Sequence, residues 1–261
     1  MQRLLPAPPV AEVDVHAHYA DGWLDDGGVR VNFIASADGA AAVAGRSRGL
    51  QTPGDNQVFA ALRDLADVIL VGAATASTEG YRPSVPGGRR QAIRTSHGLA
   101  PAPAIAVVSA SLAVDLSAPL YTAAEAAPTI LVSSSAAPVG RRNDIIDLAG
   151  GHSRVQLIEA PASSAGGVDL AAAIVSLRAL GYTRILCEGG PRLFAAAVAA
   201  AVVDELCLTY SPMLAGPAGP RILTGDGEPG GYPIPMELIG LLAEDGALFA
   251  RYRLPPSPTV V

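Results

Sequence analysis

The sequence predicts an α/β protein with a mixed, mostly parallel sheet that finishes in antiparallel strands. Two observations carry this prediction. Apolar runs of strand length alternate with helical patterns through most of the chain, and the last apolar runs follow one another with only loops between them. Parallel strands need crossover helices and are buried on both faces, so they form continuous apolar runs.

The alternating part of the chain begins near residue 29. Helices are predicted near residues 55–66 and 170–180, where apolar residues recur every three or four positions. The apolar runs that we predict as strands lie at residues 29–36, 68–72, 105–109, 129–133, 155–159 and 184–188.

Three further apolar runs end the chain, at residues 206–210, 237–242 and 248–254. The last two are joined only by Ala-Glu-Asp-Gly-Ala, a link of hairpin length. We therefore predict one continuous domain over residues 29–254. An N-terminal arm (1–28) precedes it, and a frayed tail (255–261) follows it.

Composition and charge exclude several classes of function. The 261 residues are 50% hydrophobic and 16% charged, which is typical of a folded globular chain, and the net charge is −6. There is no basic run, so nucleic acid and anionic membranes are not expected partners. No apolar stretch is long enough to span a bilayer, and the N-terminus lacks the apolar segment of a signal peptide. We expect a cytoplasmic protein.

All 18 basic residues are arginines. A Schiff-base mechanism through lysine is therefore excluded, and any anion site must use arginine or backbone N–H groups. Cys187 and Cys207 fall in predicted strands without metal-site spacing, so we interpret them as core residues. The segment Asp14-Val-His-Ala-His18 superficially resembles the opening of metal-dependent hydrolases. Such a site needs further histidines and a carboxylate downstream, and we predict no metal.

The most informative stretch is residues 185–194, an apolar run that breaks at Gly189 and Gly190 and restarts as a helical pattern at Pro191. This pattern is typical of a strand–turn–helix phosphate site. The glycines let a ligand approach the backbone, and the helix start directs N–H groups and its positive dipole end at a pyrophosphate. Glu188 would lie beside the ligand. The alternative is a Gly-Gly turn that only joins two elements.

Other predicted strand ends carry polar groups. One strand leads into Gly72 and then Thr75, and the next ends at Ser109 with Ser111 two residues on. Ligands of open α/β sheets bind outside the carboxyl ends of the strands, so these residues suit a ligand with several phosphates. Asn32, within the first predicted strand, either satisfies the fold or faces a ligand.

Arg63 lies on the predicted helix at residues 55–66. The commonest role of an arginine there is a solvated helix face, and only an anionic ligand would give it a binding role.

Taken together, these motifs resemble the reductase domain of riboflavin biosynthesis, a family with the dihydrofolate-reductase-like three-layer fold. The resemblance runs in order over about residues 28–254. It is carried by Asn32, Ser36-Ala-Asp-Gly39, Gly45-Arg-Ser47, residues 62–75, Glu188-Gly-Gly190 and Val203-Asp-Glu-Leu206 with Pro212 and Gly216.

The resemblance implies an activity and a dimer. In the family, NADPH reduces the open ribosyl group of a 5-amino-6-(5-phosphoribosylamino)pyrimidine to a ribityl group, and the enzyme is a homodimer. The implied substrate contacts are Asn32, Ser47, Arg63 and Glu188, of which we take Asn32 and Glu188 as the catalytic candidates. The implied cofactor contacts are Ile34, Gly49, Thr75, Ser109, Gly190, Pro191, Arg192, Leu193 and Phe194. The strand ends and the glycine turn add Gly72, Ser111 and Gly189 as further candidates.

Three departures from the family pattern shape these expectations. Asn32 stands where many bacterial members have lysine, so it would orient substrate rather than donate a proton. Glu79-Gly-Tyr-Arg-Pro83 replaces a segment that supplies a phosphate-binding arginine, and Arg82 is the available substitute. Residues 1–28 do not contain the deaminase that often precedes the reductase, nor its zinc signature. We therefore expect a stand-alone reductase.

Two other interpretations stay open. A reductase of the same fold could act on a pterin such as dihydrofolate, because Glu79 and Tyr81 leave room for an aromatic ring in place of a sugar phosphate. Alternatively, a nucleotide-binding protein could have kept the cofactor site and lost turnover.

Overall fold

The computed structural model describes residues 1–123, 127–150, 154–225 and 232–255. Of the predicted tail, residues 256–261 lie outside the described residues. The chain forms two compact units, where the sequence predicts one domain after an arm. The first unit contains residues 1–65 and 186–261, and the second contains residues 66–185. No helix in the described part of the chain is both long and apolar enough to cross a membrane.

The first unit combines parallel and antiparallel strands. Its order of hydrogen-bonded strands is β1-β9-β10-β8-β2-β7, and β2 with β8 is a parallel pair, whereas β8-β10-β9-β1 is antiparallel throughout. Its elements are β1 (Gln2–Leu5), α1 (Val15–Ala20), α2 (Trp23–Asp26), β2 (Gly28–Ser36), a 3₁₀ helix (Ser47–Leu50), α3 (Pro53–Leu65), α9 (Pro191–Ala199), β8 (Glu205–Ser211), β9 (Glu237–Glu244) and β10 (Ala247–Arg253). Strand β7 (Arg184–Cys187) crosses the boundary between the units.

The second unit is built on four parallel strands in the order β3-β4-β5-β6. The inner positions of β3, β4 and β5 are buried, as the continuous apolar runs predict, whereas Gln156 and Glu159 of the edge strand β6 are exposed. Its elements are β3 (Val68–Gly72), α4 (Ala73–Thr78), α5 (Gly88–Ser96), β4 (Ala104–Val108), α6 (Pro119–Thr122), β5 (Thr129–Ser134), α7 (Val139–Gly150), β6 (Val155–Ala160) and α8 (Leu170–Ala179). These strands and the antiparallel C-terminal ones confirm the predicted fold class.

Helices cover both faces of β2 in the first unit. Phe33 stacks on Phe194 of α9, with ring centroids 5.3 Å apart. The next residue, Ile34, points to the opposite face, which it shares with its register partner Thr209 of β8. The Thr209 hydroxyl donates to the carboxylate of Asp55 in α3. Helix α9 therefore lies on one face of this sheet and α3 on the other, which is a three-layer arrangement.

The predicted hairpin forms between β9 and β10. Its central residues, Asp245 and Gly246, have φ values of 48° and 80°. Positive φ at both central positions is the type I′ geometry that a two-residue hairpin favours.

The N-terminal segment contains elements that the sequence did not reveal. Strand β1 pairs with β9, and helices α1 and α2 bury Tyr19 and Trp23 almost completely. Asp14 caps α1 by accepting a hydrogen bond from the Ala17 N–H at 3.2 Å. Residues 1–28 thus form part of the first unit.

A buried ionic triad holds this segment. Glu205 of β8 accepts hydrogen bonds from Arg251 at 2.7 and 3.0 Å and lies 3.2 Å from the Arg30 guanidinium. Arg251 also donates to the His18 carbonyl at 2.6 Å, and Arg30 donates to the Tyr19 carbonyl. The two arginines therefore satisfy carbonyls at the end of α1.

Burial and the charges of the triad shift the pKa values of Glu205 and His18. Burial acts to raise the pKa of Glu205, but the hydrogen bonds and charges of Arg251 and Arg30 outweigh it and leave that pKa below its usual value. Burial, followed by the charge of Arg251, lowers the pKa of His18 to about 4. His18 is accordingly neutral near pH 7.

Replacing Glu205 by glutamine should lower the free energy of unfolding by about 3–5 kcal/mol, because it leaves two arginines buried without their carboxylate. Urea denaturation measures this loss. The matched control is Glu237→Gln, which removes a 2.8 Å pair with Arg253 whose side chains are 66% and 59% exposed. The control should lose at most about 1 kcal/mol. Equal losses in the two variants would mean that the triad adds no more stability than a surface pair.

Candidate active site

The strand–turn–helix unit forms as predicted. Strand β7 ends at Cys187, Gly190 is the N-cap of α9, and Pro191 is its first residue. Gly189 has a φ of 80°, and a Cβ atom there would lie 2.5 Å from the Phe33 ring. Only glycine satisfies both the backbone conformation and this close approach.

The start of α9 is electropositive. The N–H groups of the first helical turn have no partner within a helix, and the helix dipole adds to their partial positive charge. Arg192 lies in this turn with an exposed side chain, whereas Leu193 and Phe194 are buried. The turn and the helix start can therefore bind an anionic group such as a phosphate.

Arg63 and Glu188 form a bidentate ion pair. The Nε and Nη2 groups of Arg63 donate to the two carboxylate oxygens of Glu188 at 2.7 and 2.6 Å. The Glu188 side chain is 3% exposed and that of Arg63 is 22% exposed. Two residues that the sequence predicts as separate substrate contacts thus lie together, 125 positions apart in the chain. The pair joins α3 to the residue before the glycine turn.

Asn32 lies on the same sheet face as this pair. It alternates with Ile34 along β2, so its side chain points toward the α3 face. Its Oδ1 atom is buried and has no hydrogen-bond partner among the described residues. A buried carbonyl oxygen without a donor is costly. A ligand that donates to Asn32 would remove this cost.

The remaining predicted residues of the first unit lie on or beside β2. Ile34 is 7% exposed. Ser47 and Gly49 lie in the 3₁₀ helix, where Ser47 is half-buried and Gly49 is exposed. A Cβ atom at Gly49 would lie 3.1 Å from the Cβ of Val43, so a larger residue would displace this turn.

Two of the quoted motifs meet through Asp38. Its carboxylate accepts the N–H groups of Ala215 and Gly216 at 3.0 and 2.8 Å, and the Ser36 hydroxyl also donates to it. The Ala215 N–H, then the Ser36 hydroxyl, lower the pKa of Asp38 to about 2. The loop after β8 is therefore fixed to the end of β2, the strand that carries Asn32.

In the second unit, the predicted hydroxyls follow two adjacent parallel strands. Gly72 pairs in register with Val108 and is the N-cap of α4, so Ser109 lies at the same edge of this sheet. Thr75 is half-buried in the first turn of α4. Ser109 is 9% exposed, whereas Ser111 is exposed.

Arg82 lies at a cleft of the second unit with a volume of about 260 Å³. One wall is the Ala73, Ala76 and Ser77 face of α4, and residues 113–121 form the other wall. The side chains of Arg82 and Asp115 are exposed there. The cleft therefore offers both a cation and an anion to a small ligand.

The residues of the segment that resembles a metal motif lie in different environments. His16 Nε2 lies 3.1 Å from the Asp64 carboxylate, Asp14 is the N-cap of α1, and the buried His18 Nε2 has no hydrogen-bond partner among the described residues. The described residues contain no group of three or more histidine, cysteine or acidic side chains that could hold a metal ion. Cys187 and Cys207 are buried free thiols within strands, as expected.

Sequence reasoning did not single out Phe59, which contacts Arg63. Its ring lies under the Arg63 guanidinium, with the Arg63 Cζ atom 4.2 Å from the ring centroid. The two residues are four positions apart on a helix, a spacing that brings side chains into contact. The four-residue spacing of Phe59 and Arg63 is the sequence signal that could have indicated this contact.

The fold and this site define an α/β protein with a glycine turn at a helix start and a polar cluster on the adjoining sheet face. The sequence model of the RibD C-terminal domain family matches residues 28–241. The chain belongs to this family.

Known proteins are similar over most of the chain. The 2,5-diamino-6-ribosylamino-4(3H)-pyrimidinone 5′-phosphate reductase of Archaeoglobus fulgidus is 26% identical over 226 residues, which are 86% of this chain and 97% of the relative. A pyrimidine reductase-like protein from Corynebacterium diphtheriae is 26% identical with a TM-score of 0.79, and the match covers 94% of this chain and all of that one. The riboflavin biosynthesis reductase Rib7 of Saccharomyces cerevisiae is 14% identical with a TM-score of 0.65 and coverage of 94% and 93%, which shows the shared fold.

Proposed function

We propose that this protein is a reductase of riboflavin biosynthesis. It would use NADPH to reduce the open ribosyl group of a 5-amino-6-(5-phosphoribosylamino)pyrimidine to a ribityl group. The observation that carries this proposal is the Arg63–Glu188 ion pair, with the buried Asn32 Oδ1 atom, unpartnered among the described residues, on the same sheet face, in a chain that belongs to the RibD C-terminal domain family. The substrate named for the Archaeoglobus fulgidus relative is the first one to test.

The residues of the first unit fit a nicotinamide cofactor and a sugar phosphate. Gly190 is the N-cap of α9, so the backbone N–H groups of this helix start are available to a pyrophosphate. When bound, the cofactor supplies the hydride. The Asn32 Oδ1 atom would accept a hydrogen bond from a substrate hydroxyl or amino group, and Arg63 would bind the substrate phosphate.

In the second unit, we propose the cofactor contacts that the sequence predicts. The buried Ser109 hydroxyl and the exposed Ser111 hydroxyl suit the 2′-phosphate that distinguishes NADPH from NADH. Gly72 and Thr75 at the end of β3 are further proposed contacts, and Arg82 is a proposed contact of the substrate phosphate.

The cofactor proposal predicts that Gly190→Asp raises the dissociation constant of NADPH by about tenfold or more, because a carboxylate at the helix start repels the pyrophosphate. Fluorescence titration of NADPH measures the constant, and circular dichroism checks the fold. The matched control is Gly140→Asp in α7, where a Cβ atom meets open space. Unchanged affinity in the Gly190 variant would remove the pyrophosphate from this turn.

The substrate proposal predicts that the purified protein oxidises NADPH with the phosphoribosylaminopyrimidine, and that Arg63→Ala raises its KM by about one to two orders of magnitude. A charge-assisted bond to phosphate is worth about 1.5–3 kcal/mol. Steady-state kinetics measure KM, and Arg178→Ala, an exposed arginine at the end of α8, is the control.

The same assay decides between the proposal and its rivals. A pterin that carries no phosphate should react poorly, and Arg63→Ala should raise its KM less than that of the phosphoribosylaminopyrimidine. Faster turnover of dihydrofolate than of the phosphoribosylaminopyrimidine would favour the pterin reductase. NADPH binding without turnover of either compound would favour a non-catalytic nucleotide-binding protein.

We also propose that the protein is a homodimer and that the antiparallel strands of the first unit form the interface. Tyr210 and Leu248 are register partners with exposed fractions of 37% and 39%, and Leu238 at 38% is the partner of Tyr252. These side chains form an apolar surface on one sheet face.

The cytoplasmic location stays a prediction.

The dimer proposal predicts that Leu248→Glu converts a dimer into a monomer, because a charge on a two-fold interface is repeated in both copies. Light scattering after gel filtration measures the mass. Val175→Glu, at an exposed position of α8, is the control and should leave the mass unchanged. A wild-type monomer would contradict the proposal directly.

A further inference from the structure

The proposed reaction assigns no role to the side chain of Phe59. It lies on α3, one turn before Arg63, and is half-buried. Its neighbours Val58, Ala61 and Leu62 are buried in the core of the first unit, so the helix does not need Phe59 to anchor it. Its ring instead supports the Arg63 guanidinium, with the Cζ atom 4.2 Å from the ring centroid.

The Arg63 guanidinium is therefore held in two directions. Glu188 receives its Nε and Nη2 groups along one edge, at 2.7 and 2.6 Å. The Arg63 Cζ atom lies over the ring of Phe59, 4.2 Å from its centroid. A carboxylate along one edge and a ring beneath Cζ together restrict the position of the planar cation.

The side chains of Glu188 and Arg63 differ in their exposed fractions. Glu188 is nearly inaccessible at 3%, whereas Arg63 keeps 22% of its side chain exposed. An arginine that is ordered before binding loses less conformational entropy when a ligand arrives. The accessible part of Arg63 can then meet an anionic group in one orientation.

We propose that Phe59 is a positioning residue of the substrate site, which acts with Glu188 to fix the Arg63 guanidinium toward the anionic group of the substrate. The inference rests on the proposed function for the identity of that group, a sugar phosphate. The fixed orientation of the Arg63 guanidinium does not depend on that function. Neither Phe59 nor Glu188 needs to touch the phosphate in this arrangement.

The first measurement needs no substrate. In the wild-type protein, the Arg63 Nε–H, which donates to Glu188, should exchange slowly with water, and its resonance should feel the ring current of Phe59. It is assigned among the 18 arginines by its disappearance in Arg63→Lys. Phe59→Leu should remove the ring current and move the resonance, whereas Phe59→Tyr should leave it near the wild-type position. A resonance at the same position in wild type and Phe59→Leu would overturn the proposal. If Phe59→Leu does not fold, fast exchange of the wild-type Arg63 Nε–H with water would overturn it.

The second measurement is kinetic. Phe59→Leu keeps an apolar side chain but loses the π face, and should raise KM for the phosphoribosylaminopyrimidine about five- to twentyfold with a smaller change in kcat. Phe59→Tyr should restore KM to within about twofold of wild type, because its ring can stack in the same way. Gln57→Leu, an exposed position on the same helix, is the control for a substitution in α3 and should keep the wild-type KM.

The two measurements separate the ways in which the proposal could fail. A wild-type protein without reductase activity would reject the proposed function, and the resonance would still decide whether Phe59 fixes Arg63. An active wild type with equal KM values in Phe59→Leu and wild type would reject the positioning role. Equal losses in Phe59→Leu and Phe59→Tyr would also reject it, because the stacked ring would then not be the cause.

Discussion

The buried carboxylate of Glu188, which follows the end of β7, is stabilised by its ion pair with Arg63 of α3. Breaking such a pair costs more than forming it contributes, so the geometry around it is constrained. The chain turns immediately afterwards at Gly189, which lies against Phe33 and cannot carry a side chain. The pair thus fixes where α3 lies on the sheet face, and with it where the glycine turn begins. Among the candidate residues of the first unit, this contact links Arg63 to Glu188 and so to the glycine turn before α9.

Buried charges organise the rest of the first unit as well. Arg30, Glu205 and Arg251 occupy three different strands, and their hydrogen bonds extend to the carbonyls at the end of α1. Arginine is suited to this role because its planar group can bind a carboxylate and a carbonyl at the same time. The chain uses arginine for all its basic residues. The ion pairs that these arginines form are accordingly held by planar guanidinium groups rather than by flexible point charges.

The sequence predicted the buried strands well because each is a continuous apolar run. The predicted bounds of β3 agree with the structure, and the other strands differ by one or two residues at their ends. Helices α5 and α7 were missed because each buries a single side chain, Arg94 and Ile145 respectively, so neither shows an apolar face. Strand β1 was missed because four residues at a sheet edge carry no periodic signal. Its pairing with β9 depends on residues about 240 positions away.

The site was predictable one residue at a time but not as a set. Glycines before a proline indicate a helix start, and a polar residue in an apolar strand marks Asn32, because both signals are local. The partner of Glu188 is 125 positions away, and no local pattern encodes it. Resemblance to the family named Arg63 and Glu188 as two independent contacts. The structure shows that they share hydrogen bonds, so removing either one also changes the other. Their contributions to binding cannot be added, and the Arg63–Glu188 pair is the unit to which a function is assigned.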